Sequence, residues 1–148
     1  MSITTSTPLP EHQTAWQRLY RGYAAYYQVP MTDDILAQVW EWIHDDQQPF
    51  FCRLALDNDG TPIGLAHFRA MPSPLRGTMV GFLDDLFVDP AHRGSGAVDA
   101  LFSTIAEEGR RQGWPLIRWI TRDNNYRGRA VYDRVATHTN WQTYQLDL

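Results

Sequence analysis

Apolar residues recur along this chain with two periods, and each change of period marks an element. Trp16, Leu19, Tyr20, Tyr23 and Tyr27 fall at helical spacing within residues 12–27, and Gln28-Val29-Pro30 ends that helix. Ile35, Leu36, Val39, Trp40 and Ile43 form a second helical stripe that should stop near Asp45. Thr32 is placed to cap it, and Asp33 and Asp34 sit where the helix dipole favours acids. Residues 3–6 read as a short strand closed by Pro8 and Pro10. Phe50–Leu56 and residues 62–68 read as an antiparallel hairpin across Asp57-Asn58-Asp59-Gly60. Residues 71–77, with two prolines and a glycine, read as a loop into a strand at 80–88. Val98, Leu101, Phe102, Ile105 and Ala106 then give one face of a long helix, capped by Gly113 with Arg110 and Arg111 in its last turn. A strand at 116–121 should run parallel to 80–88 through a right-handed crossover. A short helix at 125–135 and a terminal strand at 143–148 complete an α/β chain with a mixed sheet, expected to be one domain over residues 1–148.

The segment from Leu83 to Ala106 breaks the pattern in a way that asks for chemistry. Asp84 and Asp85 stand side by side in a strand that would ordinarily exclude carboxylates. Asp89 and Pro90 end the strand, a glycine turn follows, and the helix begins. Strand, glycine turn and helix form an anion cradle, because the amides of residues 94–98 are unpaired donors at the positive end of the dipole. A Walker loop needs Lys and then Ser or Thr, and Ala97 and Val98 stand there instead. A dinucleotide fingerprint is met at Gly94 and Gly96 but finds Asp99 at its third glycine, and Gly113, Trp114 and Pro115 lie where the ribose-binding acid belongs.

The third design is matched by more residues. Asp85-Leu86-Phe87-Val88-Asp89-Pro90 followed by Arg93, Gly94, Ser95 and Gly96 resembles the pyrophosphate loop of the GNAT superfamily of acyl-CoA N-acyltransferases. A second match, Asn125 with Gly128 in an alanine position and Tyr132, resembles that superfamily's N-x-x-A-x-x-x-Y motif. Val98 departs from the usual Gly or Ala at the last loop position, and its β-branched side chain narrows the approach of a phosphate while leaving the amide in place. The resemblance implies a GNAT fold: a central mixed sheet of six to seven strands, helices on both faces, and a splayed parallel strand pair that binds acetyl-CoA. It implies diphosphate contacts from Arg93, Gly94, Ser95, Gly96, Ala97 and Val98, and main-chain pantetheine contacts from Leu86, Phe87 and Val88. It also implies a pantetheine contact from Asn125 and a Tyr132 hydroxyl near the thioester sulfur. Leu83-Asp84-Asp85-Leu86-Phe87-Val88 is further similar to L-E-D-F-F-V of spermidine/spermine acetyltransferases, whose Glu falls on Asp84.

On that resemblance the expected reaction is acetyl transfer from acetyl-CoA to the primary amine of a small molecule, such as a diamine, polyamine or amino compound, by direct attack in a ternary complex. Tyr132 is the expected proton donor to the leaving thiolate. Asp84 is the expected acceptor of the ammonium proton, through water, since a free Asp near ~4 lies far below an amine near ~10. The same Asp84 could instead pair with an arginine, and Asp85 reads as structural. A non-catalytic acyl-CoA-binding module and a protein or peptide N-acetyltransferase stay open as alternatives.

Composition narrows the partners. The net charge is −4 with no basic block, which argues against a nucleic-acid partner. Cys52 is the sole cysteine, so no internal disulfide or Cys-based zinc site is expected, and no histidine pair has metal-ligand spacing. No stretch reads as a signal peptide or membrane span, which makes a cytoplasmic protein the expectation. Homodimers are common in the family, so a homodimer stays open.

Overall fold

The computed structural model describes residues 2–148. Its elements run β1 (Thr4–Ser6), α1 (Gln13–Tyr26), α2 (Asp33–Ile43), β2 (Phe50–Leu56), β3 (Pro62–Ser73), β4 (Thr78–Val88), α3 (Ala97–Gln112), β5 (Ile117–Arg118) and α4 (Tyr126–Val135). The five strands lie in sequence order in one sheet; β1 to β4 are antiparallel neighbours and β5 is parallel to β4. Each face of the sheet carries its own apolar cluster. One joins Phe68, Leu83 and Trp114 to Leu101 and Ile105 of α3. The other joins Leu54 and Leu65 to Trp16 and Leu19 of α1 and to Leu36 and Val39 of α2. No helix among the described residues is long and apolar enough to cross a membrane.

Local chemistry explains the well-formed parts. Thr32 Oγ1 accepts from the Ile35 amide at 3.2 Å and starts α2. Asp57 closes the β2–β3 hairpin by accepting at its side chain from the Asp59 and Thr61 amides, with Gly60 at φ +77°. Gly81 allows the close approach of Trp114, whose Cε3 would lie 2.6 Å from a Cβ at that position.

Three expectations are corrected. Strand β3 continues to Ser73, so the first part of the expected 71–77 loop, residues 71–73, is sheet, with Ser73 paired to Thr78. The strand expected at 116–121 is two residues long, pairing Gly81 with Ile117 and Phe82 with Arg118. Residues 143–148 form no strand and all are exposed, because their alternation meets no partner edge; the sheet therefore has five strands among the described residues, not six to seven.

The register of β4 is broken once. His67 pairs with Asp85 and Phe68 with Leu83, which leaves Asp84 as an extra residue, a β-bulge. Past it, β4 still pairs with β3 through Val88, while among the described residues its other edge has no strand beyond Phe82.

Candidate active site

A cavity of about 450 Å³ opens beside that free edge. Leu86, Phe87 and Val88 form one wall; Arg93, Gly94, Ser95, Gly96, Ala97 and Val98 form another; Asn125 and Tyr132 close it from α4. The glycine turn is shaped by two positive φ angles, +77° at Gly94 and +91° at Gly96, which only glycine adopts without strain. Gly96 is the N-cap of α3 and offers no side chain to its amides. Among the described residues, the amides of Gly94, Gly96, Val98 and Asp99 find no acceptor. The other two donors expected to be free are used: Ser95 donates to the His92 carbonyl and Ala97 to Ser95 Oγ. The cradle is thus four open amides at a helix start, with Arg93, Arg127 and Arg134 around the same cavity in an otherwise acidic chain. Asp99 holds Arg134 at 3.0 Å. Asp89 anchors the turn by accepting from the Ala91 amide and pairing with Arg18 at 3.0 Å, and these hydrogen bonds keep its carboxyl below the usual range.

Tyr132 lies against Trp119 and Phe102, ring centroids 5.5 and 6.3 Å away, both edge-on. Burial, followed by the neighbouring Tyr27 and Tyr26, raises its hydroxyl to about 12. It therefore stays protonated through the whole neutral range, a donor that does not titrate away.

Asn125 lines the cavity, and its side chain is engaged by protein groups. Its Oδ1 accepts from Tyr26 Oη at 3.0 Å and from the Gly128 amide at 3.3 Å; its Nδ2 donates to Thr121 Oγ1 at 2.8 Å and to Tyr27 Oη at 3.4 Å. An asparagine side chain offers two donor hydrogens and an oxygen with two lone pairs, and all are taken. The side chain caps α4 and ties it to α1, and Gly128 is needed because a Cβ there would run into the Asn125 amide.

The two acids differ sharply. Asp84, on the bulge, is held by Arg69 Nε at 3.0 Å, and burial raises its carboxyl against the guanidinium's pull. It does not line the cavity. Asp85 points toward α1 into a closed chain of hydrogen bonds. Trp16 Nε1 donates to His67 Nε2 at 3.0 Å, which puts the ring proton of His67 on Nδ1; that proton is donated to Asp85 Oδ2 at 2.8 Å. Tyr20 donates to the same oxygen at 2.8 Å. Burial opposes the charged form of Asp85, but the bonds from His67, Tyr20 and Tyr23 outweigh it and keep the carboxyl below the usual range. Its donors are neutral by this pattern, so Asp85 leaves a net negative charge beneath α1.

Several lining residues were not singled out from sequence. Tyr23, Tyr26 and Tyr27 bring the end of α1 to the cavity, and His92, whose buried Nδ1 has no partner, joins them. Tyr23 and Tyr27 belong to the apolar stripe of the first helix and Tyr26 lies off it, and nothing local to 23–27 reveals a partner a hundred residues away. No group of three His, Cys, Asp or Glu among the described residues is arranged to hold a metal.

Comparison with known proteins follows the same line. The model of the acetyltransferase (GNAT) family matches residues 16–136. A D-amino-acid N-acetyltransferase of Saccharomyces cerevisiae is 24% identical over 137 residues, covering 92% of this chain and 85% of its own length. The crystal structure of a ribosomal-protein-alanine N-acetyltransferase from Brucella melitensis superposes with a TM-score of 0.83 at 21% identity, over 99% of this chain and 100% of that one. The aminoglycoside N-acetyltransferase AAC(6')-Iy, solved with a bisubstrate analogue built on CoA, gives 0.85 at 18% identity, over 100% and 99%. Since the family model spans most of the length and the same fold recurs in chains of very different sequence, the protein belongs to the acetyltransferase (GNAT) family.

Proposed function

We propose that this acetyl-CoA-dependent acetyltransferase delivers its acetyl group to the primary amine of a small molecule, with both substrates bound together. The observation that carries the reading is the cavity: open amides and arginines at one end, a free β4 edge along its side, and an aromatic end where Tyr132 meets Tyr23, Tyr26 and Tyr27. A diphosphate fits the first. Pantetheine fits the second as an added strand, entering where the β4–β5 ladder stops at Phe82 and Arg118. An ammonium fits the third, drawn by ring faces and by the charge of Asp85 beneath them. The named acceptors of the relatives, a D-amino acid, an aminoglycoside and the alanine of a ribosomal protein, are all amines. Diamines and polyamines join them as candidates on the similarity at Leu83 to Val88.

In this reading the neutral amine attacks the thioester carbonyl, the C–N bond forms, and the C–S bond breaks with the electron pair leaving on sulfur. With a hydroxyl near 12 against a thiol near ~8.5, Tyr132 supplies a hydrogen bond to the departing thiolate rather than a complete transfer. The ammonium proton leaves through water toward Asp84, whose raised carboxyl moves in the direction a base requires. A thiol-release assay with acetyl-CoA and a panel of polyamines, aminoglycosides, D-amino acids and peptides tests the proposal. Turnover with small primary amines is expected. Acetyl-CoA binding without turnover on any member would make the chain a binding module, and turnover on peptides alone would reassign the acceptor.

A further inference from the structure

Tyr23 lines the cavity, yet no step of the transfer described above uses its hydroxyl. It stands near the end of α1 and reaches the bulge of β4, where its hydroxyl donates to the Asp84 carbonyl at 3.4 Å. The Asp85 carboxylate lies beside it as a second acceptor. His67 and Tyr20 both use Oδ2 of that carboxylate, which leaves Oδ1 for a third donor. Burial, followed by the charge of Asp85, pushes the Tyr23 hydroxyl well above its ordinary range, so its hydrogen stays in place at neutral pH. A phenol has one hydrogen to give and lone pairs with which to accept. Here the hydrogen is held from the β4 side, and among the described residues no group donates to the oxygen. Tyr26 and Tyr27, the other α1 tyrosines at the cavity, are engaged with Asn125 instead.

Its place along β4 matters as much as its bonding. The open amides lie past Val88, at the start of α3, and the cavity wall runs back from there through Phe87 to Leu86. A cofactor laid along that edge with its diphosphate on the amides carries its thioester toward the bulge, the end at which the β4–β5 ladder stops. Tyr23 stands at that end, its ring edge-on to Phe87 with centroids 6.2 Å apart.

We infer that Tyr23 positions the attacking amine: its oxygen accepts an N–H of the acceptor nitrogen, while Asp85, itself held by His67, keeps the hydroxyl hydrogen turned away from the substrate. The assignment rests on the acetyl-transfer reading above and adds to it the group that aims the nucleophile. A neutral primary amine brings two N–H groups and one lone pair to the thioester. Fixing one N–H turns the lone pair toward the carbonyl carbon. As the C–N bond forms, positive charge grows on nitrogen and its N–H becomes a stronger donor, so the contact tightens on the way to the transition state. Tyr23 takes no proton; that proton leaves through water. Asp85 never touches the amine and acts through Tyr23, as a positioning residue.

The test sets Tyr23→Phe against Tyr20→Phe, with acetyl-CoA and whichever of spermidine, kanamycin and D-alanine the parent chain acetylates fastest. Each variant takes one hydroxyl from the surroundings of Asp85 and keeps its ring, but of the two only Tyr23 lines the cavity. Tyr23→Phe should lower kcat/KM for the amine about 10- to 100-fold, the range of a hydrogen bond to a charged group, with more of the loss in kcat than in KM. Its acetyl-CoA affinity by calorimetry should match the parent's, which also reports that the variant is folded. The loss in Tyr20→Phe should be at least about fivefold smaller, because that hydroxyl bears on Asp85 alone. Undiminished kcat/KM in Tyr23→Phe overturns the assignment and leaves the acetyl-transfer reading standing. Equal losses in the two variants also overturn it, since they belong to the charge of Asp85, and so does a matching loss of acetyl-CoA affinity, which belongs to the cofactor wall. A parent chain that acetylates none of the three amines removes the reading and the assignment together.

Discussion

The two sides of β4 treat polar groups in opposite ways. Toward α1, the side chains of Trp16, His67, Tyr20 and Asp85 pair with one another in a largely buried network. Toward α3, the amides of Gly94, Gly96, Val98 and Asp99 are left open beside a cavity. A closed network fixes shape and charge; an open set of donors waits for an anion. The lesson is that the acceptor half of this site is built from committed side chains and the cofactor half from uncommitted main chain, so substitutions should strike the two unequally.

The largest effect should follow Asp85→Ala. It removes the acceptor for the His67 N–H and the Tyr20 hydroxyl, each costing about 1–3 kcal/mol when buried unpaired, so a loss near 3 kcal/mol is expected in denaturant unfolding. The pH dependence sharpens this. Because the folded carboxyl is depressed, its stabilisation is complete above the unfolded value near ~3.9 and is lost as pH falls through the folded one. The parent chain should weaken more steeply in that acid window than the variant, which keeps the depressed carboxyl of Asp89; equal slopes would remove Asp85 from the account.

Tyr132→Phe comes next. Turnover should fall about 100-fold, near 2.7 kcal/mol of barrier, with acetyl-CoA affinity unchanged. Full activity would end its role as donor. Asn125→Ala should cost about 2 kcal/mol of stability, since it strips the α4 cap and leaves Tyr26 and Tyr27 without their partner. Were the asparagine needed for the cofactor alone, calorimetry would show lost acetyl-CoA affinity and an unaltered unfolding curve. Asp84→Asn should lower turnover roughly tenfold and flatten the acid limb of its pH profile, and an unchanged limb would take the residue off the proton path. The smallest change is expected for Val98→Ala: acetyl-CoA binding tightened about threefold by a wider approach to the open amide.

The same contrast explains how much the sequence disclosed. The glycine turn, the helix after it and the Phe50–Leu56 hairpin were legible because their signals are local: glycines where φ is positive, a cap, a strict period. The position of Tyr132 at the cavity was reached through its motif spacing. His67 was not legible, because Pro62 to Phe68 is buried throughout and offers no alternation, and its partner Trp16 lies 51 residues away. Nor was the use of Asn125, whose tyrosine partners are nearly a hundred residues distant. The apolar alternation at 143–148 reads as a strand, yet none forms there, because pairing requires an edge and alternation alone does not supply one.

The extra residue in β4 reaches further than its own side chain. Leu83 and Leu86 pack in the same cluster although they are three apart, while Phe87 packs in the opposite one. In an unbroken strand they would part to opposite sides. Deleting Asp84 would therefore turn Asp85, Leu86, Phe87 and Val88 over together, trading charge and greasy contacts between the two layers at a stroke. This stretch can absorb many single replacements, yet a change of one in its length would rewrite it, so indels rather than point changes should be scarcest here among functional relatives.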